Sequence, residues 1–369
     1  MARQAKSYFR QKYALCAIDT LYTLVLLFVF LGSGMAVGLE NLIRKVFLAH
    51  FILPVYLLVI FLLYFACTFP LNFYRSFILE HKFCLSKQTL GDWWLDQLKS
   101  GVIAYVIMFL VIAALLQMVS ALAGFWWIGI SVFWVFFSFI LARLAPVVIM
   151  PLFFKYTILA DQTLKARIIG LAKKMQIGLL DVFQIDLSKK SLKANAALTG
   201  MGKTRRVILA DTLKDKYNYD EIEVILAHEF AHYKLKHILK LLISNCIFTF
   251  LLFFIIFKSS GFALAVFNLN TLNQPAAIPL FFVYFILFSM IIQPLEALFS
   301  RRYERSADKL ALETTRAPEA FISMMDKLAE QNLADRAPHP LIKFFFFDHP
   351  PVNERIQMAR SFQTVSTKF

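Results

Sequence analysis

Residues 220–258 read DEIEVILAHEFAHYKLKHILKLLISNCIFTFLLFFIIFK and contain neither glycine nor proline. Such a run predicts one uninterrupted helix that continues into an apolar stretch. His228 and His232 are one turn apart on this helix and therefore share a face. Two imidazoles at this spacing suit tetrahedral Zn²⁺. Glu229 is offset by about 100° from His228 and can reach a water at an open coordination position, so we predict it to be the general base.

A third ligand is needed, because catalytic zinc sites usually have three protein ligands. Residues 300–308 read SRRYERSAD, again in a helical pattern. Glu304 would complete a set of two histidines and one carboxylate for one Zn²⁺ per chain, and Asp308 would accept a hydrogen bond that fixes the tautomer of a ligating histidine. The alternatives are a chance pair of histidines on a solvated helix, and a charged helix surface whose acids balance its arginines.

The composition indicates a polytopic membrane protein. Of 369 residues, 59% are hydrophobic, 17% are charged and 40 are phenylalanine. The mean hydropathy of +0.63 excludes an ordinary soluble domain. The net charge of +15 would suit nucleic acid, but the basic residues are segregated by membrane side, so we predict a lipid bilayer and no nucleic acid as partner. Four cysteines without a C-x-x-C pair indicate neither a disulfide framework nor a cysteine-bound metal.

Six apolar stretches approach the roughly 20 residues that cross a bilayer. They cover residues 16–39, 51–73, 102–123, 126–150, 241–257 and 278–298. Lysine and arginine concentrate in the N-terminal tail, in the connections 74–100 and 151–240, and after residue 300. The positive-inside rule therefore places both termini on the cytoplasmic side of an inner membrane or of the endoplasmic reticulum.

This topology brings both halves of the candidate site to the cytoplasmic face. His232 precedes the fifth span and Glu304 follows the sixth. We therefore predict an all-α polytopic membrane protein with about six transmembrane helices, plus a small α+β zinc metalloprotease domain at the cytoplasmic face. Residues 1–150 would form an N-terminal membrane domain with four spans, and residues 151–369 a metallopeptidase domain that includes the last two spans.

A small sheet is predicted beside the zinc helix. Residues 182–186 and 206–210 read as short strands, and residues 195–198 lie between them, closed by Gly200 and Gly202. An extended peptide substrate can add to such a sheet as a further strand through main-chain hydrogen bonds. The alternative is an ordinary small sheet that covers the helix.

Residues 348–355, DHPPVNER, form the last polar constellation. The prolines hold His349 in a turn, where it can donate to an oxyanion, and Arg355 can pair with a carboxylate. A capping turn explains both residues equally well. His237 lies five residues beyond His232, about 140° around a continuous helix, so we predict that it faces away from the metal. The phenylalanines at 344–347 are either buried core or an interfacial contact.

Together these motifs resemble one known family. HEFAH at 228–232, SRRYERSAD at 300–308, Asn195-Ala196 and HPPVNER at 349–355 are similar to motifs of the type I CAAX prenyl endopeptidases, which are integral-membrane zinc proteases. FPLNFY at 69–74, LEHK at 79–82 and KQT at 87–89 are similar to the N-terminal region of that family. Ala231 and Cys84 stand where glycine is usual, and larger members have seven spans rather than six.

The resemblance implies a role for each matched residue. His228, His232 and Glu304 would bind zinc, Glu229 would activate the water, Asp308 would orient a ligand, Asn195 and Ala196 would hold the substrate backbone, His349 would stabilise the transition state, and Arg355 would meet the substrate C-terminus. The implied activity is hydrolysis of a peptide bond near the C-terminus of a prenylated protein. The implied fold is a ring of membrane helices around a large chamber.

Other functions stay open at this point. The same chemistry would serve quality-control cleavage of membrane proteins, as in heat-shock membrane proteases, and the peptide substrate would then be membrane-inserted rather than prenylated. A non-catalytic scaffold or transporter is the alternative from another class. A transporter should place ionisable residues near the bilayer midplane, whereas the predicted spans are nearly free of them.

Overall fold

The structure is a computed structural model that describes residues 2–200 and 205–366. Gly202, one of the two glycines expected to close a strand, lies outside these residues. Within these described residues, six helices are long and apolar enough to cross a membrane, which confirms the predicted number. The helices that carry these spans are α1 (Ala2–Gly32), α3 (Ala49–Phe73), α5 (Leu90–Ala121), α6 (Trp126–Leu144), α10 (His237–Val266) and α11 (Ile278–Thr315). Short π-helical turns at Tyr74–Ile78 and Ala145–Ile149 extend α3 and α6.

The spans pack around one apolar cluster and expose further apolar side chains outward. Tyr56, Ile130 and Phe253 lie in that cluster and are almost fully buried. Phe136 and Phe262 are exposed, as expected of side chains that face lipid. Between α1 and α3, the 12-residue helix α2 (Met35–Val46) is too short to span a bilayer.

The remaining elements form the smaller α+β part. Its helices are α7 (Gln162–Lys174), α8 (Asp211–Lys214), α9 (Tyr219–Lys234), α12 (Pro318–Gln331), α13 (Pro340–Phe346) and α14 (Val352–Ser366), whereas α4 (Leu79–Lys82) continues α3 after its π-helical turn. Its strands are β1 (Tyr156–Ile158), β2 (Asp181–Ile185), β3 (Ala196–Thr199) and β4 (Arg206–Ala210). The strand order is β1-β2-β4-β3, with β2 and β4 parallel and the two outer pairs antiparallel. One buried cluster joins the sheet to α7, α9, α11, α12 and α14.

The prediction of one continuous helix over residues 220–258 is wrong. The helix α9 ends at Lys234 and α10 begins at His237. Between them, Lys236 adopts a left-handed conformation with φ 55° and ψ 34°. The absence of glycine and proline permits a continuous helix but does not enforce one. A lysine can occupy the left-handed region when surrounding contacts offset its cost, and His237, which is only 1% exposed, supplies such contacts.

A second left-handed residue follows α4. Cys84 has φ 54°, at the position where the resemblance led us to expect glycine. Glycine is usual in such positions because it has no Cβ to clash with the backbone. The turn geometry is thus compatible with the family pattern although the residue type is not.

Candidate metal centre

The helix α9 presents its histidines in a defined orientation because its start and one of its faces are held by other residues. At its start, Asn218 and Glu221 form a capping box in which each side chain bonds to the backbone of the other. Glu221 is fully buried and also accepts hydrogen bonds from Ser323 at 2.6 Å and Lys327 at 2.7 Å. Phe230 is buried in the main cluster of the α+β part, which leaves His228 and His232 directed toward α11.

The structure brings the three predicted ligands together. Nε2 of His228 lies 3.2 Å from Oε2 of Glu304, and Nε2 of His232 lies 3.2 Å from Oε1. The two Nε2 atoms are 3.0 Å apart. One ligand atom from each of the three residues lies within 4.8 Å of the other two. Residues from two helices that are separated by 72 positions in the chain thus converge on one point.

The chemistry of this cluster fits a cation. Among the described residues, the buried Oε2 atom of Glu304 has no hydrogen-bond partner, because its contact with His228 lacks hydrogen-bond geometry. Two imidazole nitrogens and a carboxylate that face each other at 3.0–3.2 Å bring lone pairs together. A divalent metal satisfies such an arrangement, whereas an unpaired buried carboxylate oxygen is costly.

Asp308 lies where the sequence predicted it, beside a candidate ligand. Its Oδ1 atom is 2.8 Å from Nδ1 of His228, and its side chain is 0% exposed. The guanidinium of Arg355 donates to both carboxylate oxygens, with Nε 2.7 Å from Oδ2. The sequence predicted a carboxylate partner for Arg355, and this partner is internal, whereas the family resemblance implied the substrate C-terminus. The side chain of Arg355 is only 12% exposed. Two of its three guanidinium nitrogens donate to Asp308 and are therefore committed to an internal partner.

His349 lies beside the cluster, in the turn between α13 and α14. Its Nε2 atom is 3.4 Å from Oε1 of Glu304, and its Nδ1 atom is 2.8 Å from Oδ1 of Asp348. Its side chain is 52% exposed, which leaves it accessible to a substrate. Burial acts to lower the pKa of His349, but the carboxylates of Asp348 and Glu304 outweigh burial and raise it. A raised pKa keeps the imidazole protonated to higher pH, and a protonated imidazole carries a proton on Nε2 that it can donate to a developing negative charge.

Glu229 follows His228 on α9 and is half-buried. Burial raises the pKa of its carboxyl, while the neighbouring His228 and His232 oppose that rise. A raised pKa brings a carboxylate closer to the range in which it can take and return a proton near neutral pH.

His237 is not one of the three clustered candidate ligands, as the sequence predicted, but its expected orientation away from them is wrong. Its Nδ1 atom lies 3.1 Å from Nδ1 of His232 instead of facing away from the metal ligands. The 140° offset holds only for a continuous helix, and the chain turns at Lys236 before His237. Sequence reasoning also missed Arg301, one turn before Glu304 on α11. It is 5% exposed and donates to the main-chain oxygens of Lys343 and Phe347, which fixes the segment that leads to His349.

The four phenylalanines at 344–347 serve two purposes. Phe346 and Phe347 contact aromatic side chains of α1, with ring centroids 5.2 Å and 6.0 Å from that of Tyr13. Phe344 and Phe345 are more than 40% exposed. Half of the segment therefore packs against the first membrane helix, and half is left free to face lipid or substrate.

Asn195 and Ala196 lie at the edge of the sheet. Asn195 accepts a main-chain hydrogen bond from Ala210 at 3.0 Å, and Ala196 is the next residue on β3. Alternate residues of an antiparallel strand direct their main-chain groups to opposite sides, so those of Ala196 point away from β4. Because β3 is the last strand of the sheet and packs against α9, an outward main-chain edge lies beside the helix of the histidines.

Comparison with known proteins identifies the family. The model described as Peptidase family M48 matches residues 159–363. A second model, described as CAAX prenyl protease N-terminal, five membrane helices, matches residues 2–155. The chain belongs to peptidase family M48. In the N-terminal part, this M48 member has four helices of spanning length and the short α2 among the described residues.

Named relatives agree with this assignment. An uncharacterized metalloprotease, YhfN, of Bacillus subtilis is 29% identical over 90% of this chain and 79% of its own length. CAAX prenyl protease 1 of Saccharomyces cerevisiae is 32% identical over 78% of this chain and 67% of its own. The crystal structure of S. mikatae Ste24p superposes with a TM-score of 0.86 at 26% identity, covering 97% of this chain and 88% of that one.

The family resemblance predicted from the motifs is therefore confirmed, and so is the fold class. The protein is a multi-pass integral membrane metalloprotease, and it acts on a peptide or protein substrate. Membership in M48 also implies a metal, for which the cluster of His228, His232 and Glu304 offers the ligands.

Proposed function

We propose that this protein is a zinc endopeptidase that cleaves near the C-terminus of prenylated proteins at the cytoplasmic face of its membrane. The observation that carries the proposal is the convergence of His228, His232 and Glu304. Two imidazoles and one carboxylate are a donor set typical of catalytic zinc, which keeps a fourth position open. One Zn²⁺ per chain is held by these three residues.

Each remaining site residue has a part in peptide hydrolysis. A zinc ion bound here supplies an electrophile and an acidified water. Glu229 takes the proton from the attacking water and returns it to the leaving amine. His349 donates to the oxyanion that develops on the scissile carbonyl, and its exposure leaves room for that group. Asp308 holds His228 through Nδ1.

The edge of β3 aligns the substrate. The outward main-chain groups of Ala196 pair with an extended peptide, and the exposed Asn195 contacts it at the start of the strand. Arg355 retains Nη1, for which no hydrogen-bond partner exists among the described residues, and this nitrogen meets the substrate carboxylate. Arg355 thus holds Asp308 and the substrate terminus together.

The prenyl group is suggested by a cavity and by the named relatives. A cavity of about 560 Å³ lies between α10 and α11 and reaches Asp348, the partner of His349. Apolar side chains of both spans and of α13 line much of it, including Leu241, Ala297 and Phe346. An apolar chain attached near the scissile bond fits such a wall. Several relatives are named CAAX prenyl protease 1, which supports the same substrate class.

The cytoplasmic placement rests on the distribution of charge. The connections that carry the site hold most of the lysine and arginine, as the positive-inside rule requires of cytoplasmic segments. We divide the chain functionally into a membrane domain, residues 1–150, and a metallopeptidase domain, residues 151–369, which includes α10 and α11.

Two matched variants test the chemistry. Zinc content is measured by elemental analysis on detergent-purified protein, and cleavage is measured with a fluorogenic farnesylated peptide. We expect about one zinc in the wild type, loss of zinc in Glu304→Gln, and full zinc with a cleavage rate lowered about 10²- to 10⁴-fold in Glu229→Gln. A wild type without zinc would overturn the metal assignment.

The unmodified twin of the same peptide tests the substrate. We expect the farnesylated peptide to be cleaved with a higher kcat/KM than its twin. Equal rates for both peptides would replace prenyl recognition with general cleavage of membrane-associated peptides, and the metal chemistry would be untouched by that result.

A further inference from the structure

We infer that His237 is a positioning residue for the metal ligand His232, and that Ser306 determines which ring nitrogen of His237 carries the proton. This inference rests on the proposed metal site. His237 is the first residue of α10 and is 1% exposed. Its two ring nitrogens have different partners, Nδ1 of His232 at 3.1 Å and Oγ of Ser306 at 3.1 Å. The ring is also stacked on Tyr303, with centroids 4.8 Å apart and planes inclined by 20°.

The partner of Ser306 determines where the protons lie. The Ser306 hydroxyl donates its single proton to the main-chain oxygen of Tyr303 at 2.8 Å. Its Oγ atom can therefore only accept from His237, so Nε2 of His237 carries the proton. In a neutral imidazole the other nitrogen is then an acceptor, and Nδ1 of His237 accepts from Nδ1–H of His232.

This chain of hydrogen bonds sets the tautomer of His232. With its proton on Nδ1, the lone pair of His232 lies on Nε2, the atom that faces Glu304 and His228. A metal ligand in this tautomer is ready to bind without a proton shift. Ligating histidines commonly donate their second nitrogen to a carboxylate, a carbonyl or water, and the orientation of the ring depends on that partner.

The two ligands on α9 are thus oriented in different ways. His228 has the carboxylate of Asp308 beside its Nδ1 atom, at 2.8 Å. His232 has a neutral relay through His237 and Ser306, which adds no charge to the site. A negative partner on one side and a neutral partner on the other limits the charge that must be buried around Glu304.

The break between α9 and α10 allows the hydrogen bond between His237 and His232 to form. On a continuous helix His237 would lie about 140° from His232 and could not reach it. The left-handed turn at Lys236 brings the first residue of the membrane span back to the last turn of the zinc helix. Because Tyr303 and Ser306 belong to α11, the relay also joins the helix of the histidines to the helix of Glu304.

The test removes the nitrogens of His237 and keeps its bulk. His237→Phe retains a ring that can stack on Tyr303 but cannot accept from His232. Zinc release into excess chelator is followed in detergent-purified full-length protein, together with the unfolding temperature with and without added Zn²⁺. We expect His237→Phe to bind zinc about 10- to 100-fold more weakly than the wild type. We expect His237→Gln, whose amide can accept and donate in the same places, to recover most of that loss.

Two further variants separate positioning from folding. Ser306→Ala removes only the acceptor for Nε2 and should weaken zinc binding less than His237→Phe, with little change in unfolding temperature of the zinc-free protein. His81→Ala is the matched control. Both ring nitrogens of His81 also have hydrogen-bond partners, since they lie 2.8 Å and 3.0 Å from main-chain oxygens. His81 belongs to α4 and is far in sequence from the candidate metal ligands. This variant should lower the unfolding temperature and leave zinc release unchanged.

Failure of the positioning role and failure of the proposed function would give different zinc-binding results. Zinc binding by His237→Phe and Ser306→Ala that equals wild-type binding would overturn the positioning role, while the metal site would stand. A wild type that binds no zinc would overturn the proposed function itself.

Discussion

Both carboxylate oxygens of Asp308 accept hydrogen bonds from Arg355, and one of them is also 2.8 Å from Nδ1 of His228. The terminal helix α14 is thereby connected, through one buried acid on α11, to a candidate metal ligand on α9. Asp308 has no access to solvent, so its charge depends on these two neighbours.

Replacing Arg355 by Met should destabilise the protein strongly. The methionine removes the cation and leaves the carboxylate of Asp308 buried without its main partner. We expect the free energy of unfolding to fall by about 3–5 kcal/mol. Denaturant unfolding in detergent, followed by tryptophan fluorescence, measures the change.

The double variant Arg355→Met/Asp308→Leu is the control for that experiment. Removing both charges should restore most of the lost stability, because no unpaired charge is left. Zinc binding should stay about 10- to 100-fold weaker, since His228 has lost the carboxylate beside its Nδ1 atom. A double variant as unstable as Arg355→Met alone would show that loss of packing, and not the unpaired charge, causes the destabilisation.

Lys236→Gly should stabilise the turn between α9 and α10. Lys236 has φ 55°, where a side chain is unfavourable and glycine is not. We expect a gain of about 1 kcal/mol, and zinc binding equal to that of the wild type. Lys236→Val should lose stability and zinc, because a β-branched residue fits this region poorly.

Lys234→Gly is the matched control for the turn. This lysine is the last residue of α9 and is exposed like Lys236, but it has helical geometry. Glycine should therefore cost about 0.5–1 kcal/mol there. Equal effects of the two glycine substitutions on the unfolding temperature would contradict the claim that the left-handed conformation of Lys236 is strained.

Cys84→Gly should also raise the unfolding temperature. Cys84 is exposed and has φ 54°, so its Cβ contributes strain and its thiol contributes little packing. The expected gain is about 1 kcal/mol. Cys84→Ala keeps the Cβ and should show no gain, which distinguishes relief of strain from removal of the thiol.

The buried Glu221 should make stability depend on pH. Burial acts to raise the pKa of this carboxyl, but hydrogen bonds from Lys327, Ser323 and Asn218 outweigh burial and hold it below its ordinary value of 4.5. A depressed pKa means that the stabilisation is present above pH 4.5 and is lost as pH falls through the folded-state pKa. Unfolding temperatures at pH 7 and pH 4 measure the effect.

Glu221→Gln isolates this contribution, because glutamine can still complete the capping box. We expect it to cost about 1.5–3 kcal/mol at pH 7 and less at pH 4. Glu223→Gln is the control, since Glu223 pairs with Arg167 at a more exposed position and should cost no more than about 1 kcal/mol. Equal costs of Glu221→Gln at both pH values would refute the assignment.

Much of the architecture followed from local pattern. The number of spans and the strands near 182–186 and 206–210 were predicted from hydropathy and alternation, and the family was suggested by the resemblance of several motifs to those of a known family. These features depend on residues that are close in the chain, or on motifs that occur together in few protein families. The convergence of His232 and Glu304 on one side of the membrane was also foreseen, because counting spans and basic residues is enough to place the ends of two helices.

The sequence by itself determined the membrane class, the residue types of the candidate metal ligands, and the end of the membrane helices at which these residues lie. Only the tertiary structure decided which partners hold them. The turn at Lys236, the contact of His237 with His232, and the pairing of Arg355 with Asp308 join residues through packing between helices, and no local pattern encodes such packing. A residue adopts an unfavourable backbone conformation, or meets a distant partner, only when the whole fold offsets the cost, so these features appear when the helices are assembled.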